Sequence, residues 1–111
     1  MKRFSILLLF IFLSTESLLA QSSEDIRITR QLAKQGDARA RFMVGLMYLQ
    51  GRGGVPQDYA QAAVWFRLAA DQGEASAQDM LGSMFAQGKG VRQDDVQAVK
   101  WYRLAADQGS A

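Results

Sequence analysis

Residues 38–73 read ARARFMVGLMYLQGRGGVPQDYAQAAVWFRLAADQG, and residues 75–109 read ASAQDMLGSMFAQGKGVRQDDVQAVKWYRLAADQG. Aligned with Gly54 as a single insertion, 21 of the 35 pairs are identical, with a period of 37 residues before Gly54 and 36 after it. Self-similarity at this period marks a stacked repeat architecture, in which each unit buries its apolar face only against its neighbours. Half a copy lies upstream. Ala33-Lys34-Gln35-Gly36-Asp37-Ala38 matches Ala70-Asp71-Gln72-Gly73-Glu74-Ala75.

Within each copy the apolar spacing is helical. Ala40, Val44, Met47 and Tyr48 fall at i, i+4, i+7 and i+8, and Ala77, Leu81, Met84 and Phe85 repeat them. Ala62, Trp65, Phe66, Ala69 and Ala70 share one face in the second half of the unit, as do Ala98, Trp101, Tyr102, Ala105 and Ala106. No stretch alternates with period two. Gly36, Gly73 and Gly109 follow the second helix of a unit, where a left-handed cap favours Gly. Gly51-Arg52-Gly53-Gly54 and Gly88-Lys89-Gly90 separate the two helices, and their equivalence in both copies reads as a turn rather than a phosphate loop. Asp58 with Gln61, and Asp94 with Gln97, have capping-box spacing. The pattern predicts five helices, near 25–35, 38–50, 57–71, 75–87 and 93–107. Gly45 and Gly82 sit mid-helix, where Gly costs about 1 kcal/mol against Ala, a cost offset if a neighbouring helix packs there. Trp65 and Trp101 are expected to fill the space between the helices of a pair.

The chain has 111 residues and neither Cys nor His. That removes disulfides, thiolate nucleophiles, imidazole relays and the common zinc sites. No cofactor or metal is called for, and enzymatic activity has little support. Lys2 and Arg3, the apolar run Ile6–Leu13 and the exit Leu18-Leu19-Ala20 have the layout of a secretory signal peptide. The run is shorter than the roughly 20 apolar residues of a membrane span, so no stable span is expected once it is cleaved. Cleavage after Ala20 is expected, with an uncleaved anchor as the alternative. The protein is then exported, to the periplasm or the extracellular space. Without Lys2, Arg3 and Glu16 the remainder carries 11 basic and 10 acidic side chains, a balance that asks for no nucleic-acid partner. The expected organisation is a signal peptide over 1–20, an N-terminal half repeat over 21–37, and units over 38–74 and 75–111.

The two copies resemble the Sel-one-like repeat (SLR), a relative of the tetratricopeptide repeat. The resemblance rests on Ala38, Ala40, Val44, Gly45, Tyr48, Gly51, Gly53, Val55, Asp58, Ala62, Trp65, Ala69, Ala70 and Gly73, with counterparts from Ala75 to Gly109. It implies an all-α fold, a short right-handed α-solenoid of antiparallel helix pairs, and a protein or peptide partner. A cysteine-rich bacterial branch of the family is linked to β-lactam binding and hydrolysis. A small envelope hydrolase or ligand binder is therefore the alternative reading, and the absence of Cys opposes it.

In such superhelices the first helix of each unit lines the concave face. There the copies diverge: Arg39, Arg41, Phe42, Leu46 and Leu49 stand against Ser76, Gln78, Asp79, Ser83 and Ala86. These positions are candidates for a partner-binding groove, or, for the apolar ones, for packing on the N-terminal helix. A further candidate is the last helix. It keeps the apolar residues of the internal copy, so part of the Tyr102–Leu104–Ala106 region is expected to stay open, for self-association or partner docking.

Overall fold

The computed structural model describes residues 22–109, so the predicted signal peptide and its cleavage site lie outside the described residues. Among the described residues the chain is all-helical. Helix α1 covers residues 22–34. It is followed by α2 (Ala38–Gln50), α3 (Tyr59–Asp71), α4 (Ala75–Gln87) and α5 (Asp95–Asp107). The sequence places all five, with ends shifted by up to three residues. Helices α2 and α3 pack as one antiparallel pair and α4 and α5 as the next, while α3 packs on α4 to join the units. The result is a short α-solenoid.

The boundaries follow from local chemistry. The Asp37 carboxylate accepts from the Ala40 N–H at 2.7 Å and starts α2. Asp58 and Asp94 accept from the Gln61 and Gln97 N–H groups, each at 3.1 Å, and start the second helices of the two units. Gly51 and Gly88 end α2 and α4 in the left-handed conformation at φ 69° and 66°. Gly90 is obligatory for a second reason. A Cβ there would lie 2.2 Å from the Tyr59 carbonyl oxygen, so the loop packs on the start of α3 only because no side chain intervenes.

Phe66 and Leu81 are the largest fully buried side chains and centre the main core, together with Phe42, Met84 and Trp101. Burial of each contributes about 1.5–3 kcal/mol. Gly45 explains how α2 and α3 approach so closely. A Cβ on it would stand 2.6 Å from the Phe66 ring. Phe66 therefore occupies the closest approach within the first pair, at Gly45, a place that the spacing alone did not assign to it. Trp65 lies one position around the helix and is half-buried against a satellite cluster of Ala33, Ala40 and Val44. Trp101 is buried in the main core, with Arg67 from α3 over its ring at 5.3 Å. Both tryptophans thus lie where their own unit meets the preceding one.

Candidate functional site

On the side formed by the first helices, Leu49 and Ser83 come together with Tyr59, Met80, Met84, Gln87 and Lys89 around a small hollow of about 270 Å³. The other groove candidates do other things. Phe42 is buried and packs its ring 5.7 Å from Phe66. Leu46 is half-buried against the same core. Arg39 is exposed, lies over the Phe42 ring and pairs with Glu74 at 3.2 Å, tying the start of α2 to the cap of α4. Asp79 is half-buried in the middle of α4.

Arg41 is built into the molecule rather than offered to a partner. Its Nε donates to the Ala33 carbonyl at 3.1 Å and its Nη1 to Gln72 Oε1 at 3.1 Å. Gln78, its counterpart one unit later, donates to the Ala70 carbonyl at 3.2 Å and accepts from Gln108 Nε2 at 2.8 Å. Ala33 matches Ala70, and Gln72 matches Gln108. The divergence of Arg41 and Gln78 is therefore one staple made twice: a donor reaching the last turn of the preceding helix and braced by the glutamine that follows its own pair. The longer Arg41 suits a half-exposed site, and the shorter Gln78 is buried.

A second feature repeats between units. The wedge between α3 and the second unit is lined by Ala60, Ala63, Val64, Arg67, Leu68, Leu81, Phe85, Gly90 and Val91, and encloses about 320 Å³. The equivalent wedge between α1 and the first unit is lined by Ser23, Ile26, Arg27, Arg30, Gln31, Lys34, Val44, Tyr48 and Trp65, and is about twice as large at 630 Å³. Sequence reading left out the α1 side chains of this wedge. Their signal is the spacing of Arg27, Arg30 and Lys34 at i, i+3 and i+7. In its rim, Arg27 donates to Glu24, and its guanidinium holds the Glu24 carboxyl below its ordinary value.

The same helix face recurs on α5 as Val96, Val99, Lys100 and Arg103. Among the described residues no helix covers it, and Val96 and Val99 are 79% and 48% exposed. Tyr102 is 40% exposed although its internal counterpart Phe66 is fully buried, and Ala106 is exposed where Ala70 is buried. Leu104 is different. It is 40% exposed, but Leu68 inside the array is 38% exposed, so its exposure belongs to every unit and not to the end. The open stripe on α5 therefore runs through Val99, Tyr102 and Ala106, while Leu104 and Val96, whose counterpart Ala60 is also exposed, lie beside it. Gly73 and Gly109 adopt φ 92° and 79° after the second helices, and Gly82 packs under the Tyr102 ring. Among the described residues there is no group of acidic side chains able to hold a metal ion. Nor is any helix there long and apolar enough to cross a membrane.

Stacked antiparallel helix pairs with interunit staples and open wedges define a helical-repeat scaffold. The Sel1 repeat model matches residues 38–74 and 75–110, and the chain belongs to the Sel1 repeat family. Members of the family generally serve as scaffolds for protein–protein interaction and are typically not enzymes. No curated protein sequence matches the chain. Among solved structures it is similar to a protective antigen of uropathogenic Escherichia coli that displays an SLR fold. That likeness has 49% identity over 73% of this chain and 17% of the antigen, with a TM-score of 0.71. It is also similar to a Sel1 repeat protein from Oxalobacter formigenes, at 41% identity over 78% of this chain and 25% of the other, with a TM-score of 0.75. Cysteine-rich protein B of Helicobacter pylori matches at 25% identity, over 77% of this chain and 63% of its own, with a TM-score of 0.72. The chain thus spans less than two thirds of each of these structures.

Proposed function

We propose that the protein is an exported adaptor that seats an amphipathic helix of a partner against the open face of α5. One observation carries this reading: the stripe that α4 covers on α3 is open on α5. Ala63 is 5% exposed and Phe66 fully buried, whereas Val99 and Tyr102 are 48% and 40% exposed. An apolar stripe of this kind on a soluble repeat marks an interaction surface. The internal α3–α4 contact supplies the chemistry of the occupant, a helix presenting residues like Leu81 and Phe85. A second copy of the chain would meet this face with its own α5 stripe, since its Leu81 is buried. The absence of Cys opposes the alternative, a small envelope hydrolase or ligand binder of the β-lactam-associated kind.

Export rests on the layout of residues 1–20, and intact-mass measurement of protein recovered from the envelope should find a chain starting near Gln21. A full-length species confined to the cytosol would overturn that part. For the α5 face, sedimentation of the recovered protein should show association with itself or with a co-purified partner. Val99→Glu should abolish it and Leu104→Glu should weaken it less. A monodisperse, partner-free monomer at high micromolar concentration, unchanged by Val99→Glu, would sink the reading.

A further inference from the structure

We propose that the wedge between α1 and the first unit binds an acidic peptide segment carrying an aromatic or large apolar side chain. The proposal rests on the adaptor reading and assigns a second face, with its own partner chemistry, to the same scaffold. Its argument is the contrast between two equivalent wedges. In the inner one, Arg67 satisfies itself: it pairs with Asp71 at 3.3 Å, one turn along α3, and covers the ring of Trp101 at 5.3 Å. Trp101 is left only 3% exposed. In the outer wedge each of these arrangements is undone. Arg30 takes the place of Arg67, but Lys34 replaces Asp71, so a like charge stands at i+4 where the carboxylate would be. Like charges at that spacing destabilise a helix by about 0.2–0.5 kcal/mol, which an incoming anion relieves. Among the described residues neither Arg30 nor Lys34 makes an ion pair.

The floor is open as well. Trp65 and Tyr48 are half-buried and line the wedge with Ile26 and Val44. A cavity of about 630 Å³ accommodates one or two large side chains of a bound segment. An apolar group entering it would be flanked by the two indole and phenol faces, and carboxylates beside it would meet the basic rim. Charge complementarity therefore selects an acidic segment over a neutral or basic one.

Twelve-residue peptides displayed on phage and panned against the protein as recovered from cells test this directly. The enriched peptides should be net negative and contain an aromatic or large aliphatic residue. Synthesised singly, they should bind about tenfold or more weakly to the double variant Arg30→Glu, Lys34→Glu, because rim charges set complementarity, and more weakly at high salt. Both side chains are exposed, so circular dichroism should show unchanged helicity in the double variant. Neutral or basic enriched peptides, or binding unaffected by the double variant, would overturn the proposal. Binding lost only in Val99→Glu would overturn it and leave the α5 adaptor face standing. A library that enriches nothing would overturn the wedge proposal, whereas the α5 reading stands or falls on its sedimentation test.

Discussion

Phe66 and Tyr102 hold the same place in successive units, yet one is fully buried and the other 40% exposed. Leu68 and Leu104 hold another shared place and are 38% and 40% exposed. The first pair differs because Phe66 lies between its own first helix and the next unit, whereas among the described residues Tyr102 has a helix on one side only. The second pair agrees because the wedge that Leu68 lines stays open, which leaves Leu68 as exposed as Leu104. Exposure in a repeat protein is therefore informative as a difference between equivalent positions. An exposed residue with an exposed counterpart says nothing about binding, while Tyr102 and Val99 mark a missing contact.

The largest test of this contrast is truncation. Phe66→Ala should cost about 3–5 kcal/mol, as for a fully buried aromatic, and Tyr102→Ala less than half of that. Urea titrations of the two variants would measure it, and equal losses would mean that Tyr102 is covered in solution. Next come the glycines beneath these rings. Gly45→Ala should destabilise by about 1–3 kcal/mol, because its Cβ would press on a ring with no room to move. Gly82→Ala should be neutral or stabilising by up to about 1 kcal/mol, since a Cβ there stands 3.0 Å from a half-free Tyr102 ring and the helix gains propensity. Thermal melts that move in the same direction for both would break the comparison.

The staples give a smaller effect. Gln78→Ala should cost about 0.5–1.5 kcal/mol, because it removes a buried hydrogen bond to the Ala70 carbonyl, which keeps the Gly73 N–H, and the brace from Gln108. Arg41→Ala should cost less, since its site is half-exposed and water can replace it. Paired denaturation curves would show the order. The smallest effect is at α1. The folded-state value of Glu24 lies below its ordinary one because Arg27 donates to it. The pair therefore adds stability above the unfolded carboxylate range and loses it as pH falls through the lowered folded value. Arg27→Gln should move the Glu24 titration upward in carboxyl-detected NMR, with almost no change in the melt because the pair is fully exposed.

The candidate sites were only partly legible. Arg41 and Gln78 look like divergence in a one-dimensional alignment because an arginine and a glutamine share no letter. In three dimensions both deliver an N–H to the same carbonyl position. Phe42 reads as a groove residue when the first helix is assumed to face inward along its whole length, but its ring packs on Phe66. The α1 cations were visible as a spacing but lacked a reason, because their importance appears only against Asp71 and Trp101 of the inner wedge.

Sequence by itself determined the repeat, the five helices, the Asp58 and Asp94 caps, the glycine ends, and the pairing of small with large residues. These are local or periodic properties: hydrogen bonds within a turn, φ values open only to Gly, and an apolar spacing that a helix converts into a face. Tertiary structure alone decided which aromatic enters the pair, which wedge closes on itself and which stripe on α5 lies bare. Those outcomes depend on how far one helix is rotated against the next. One position around a helix is about 100°, enough to exchange Trp65 for Phe66 at the core.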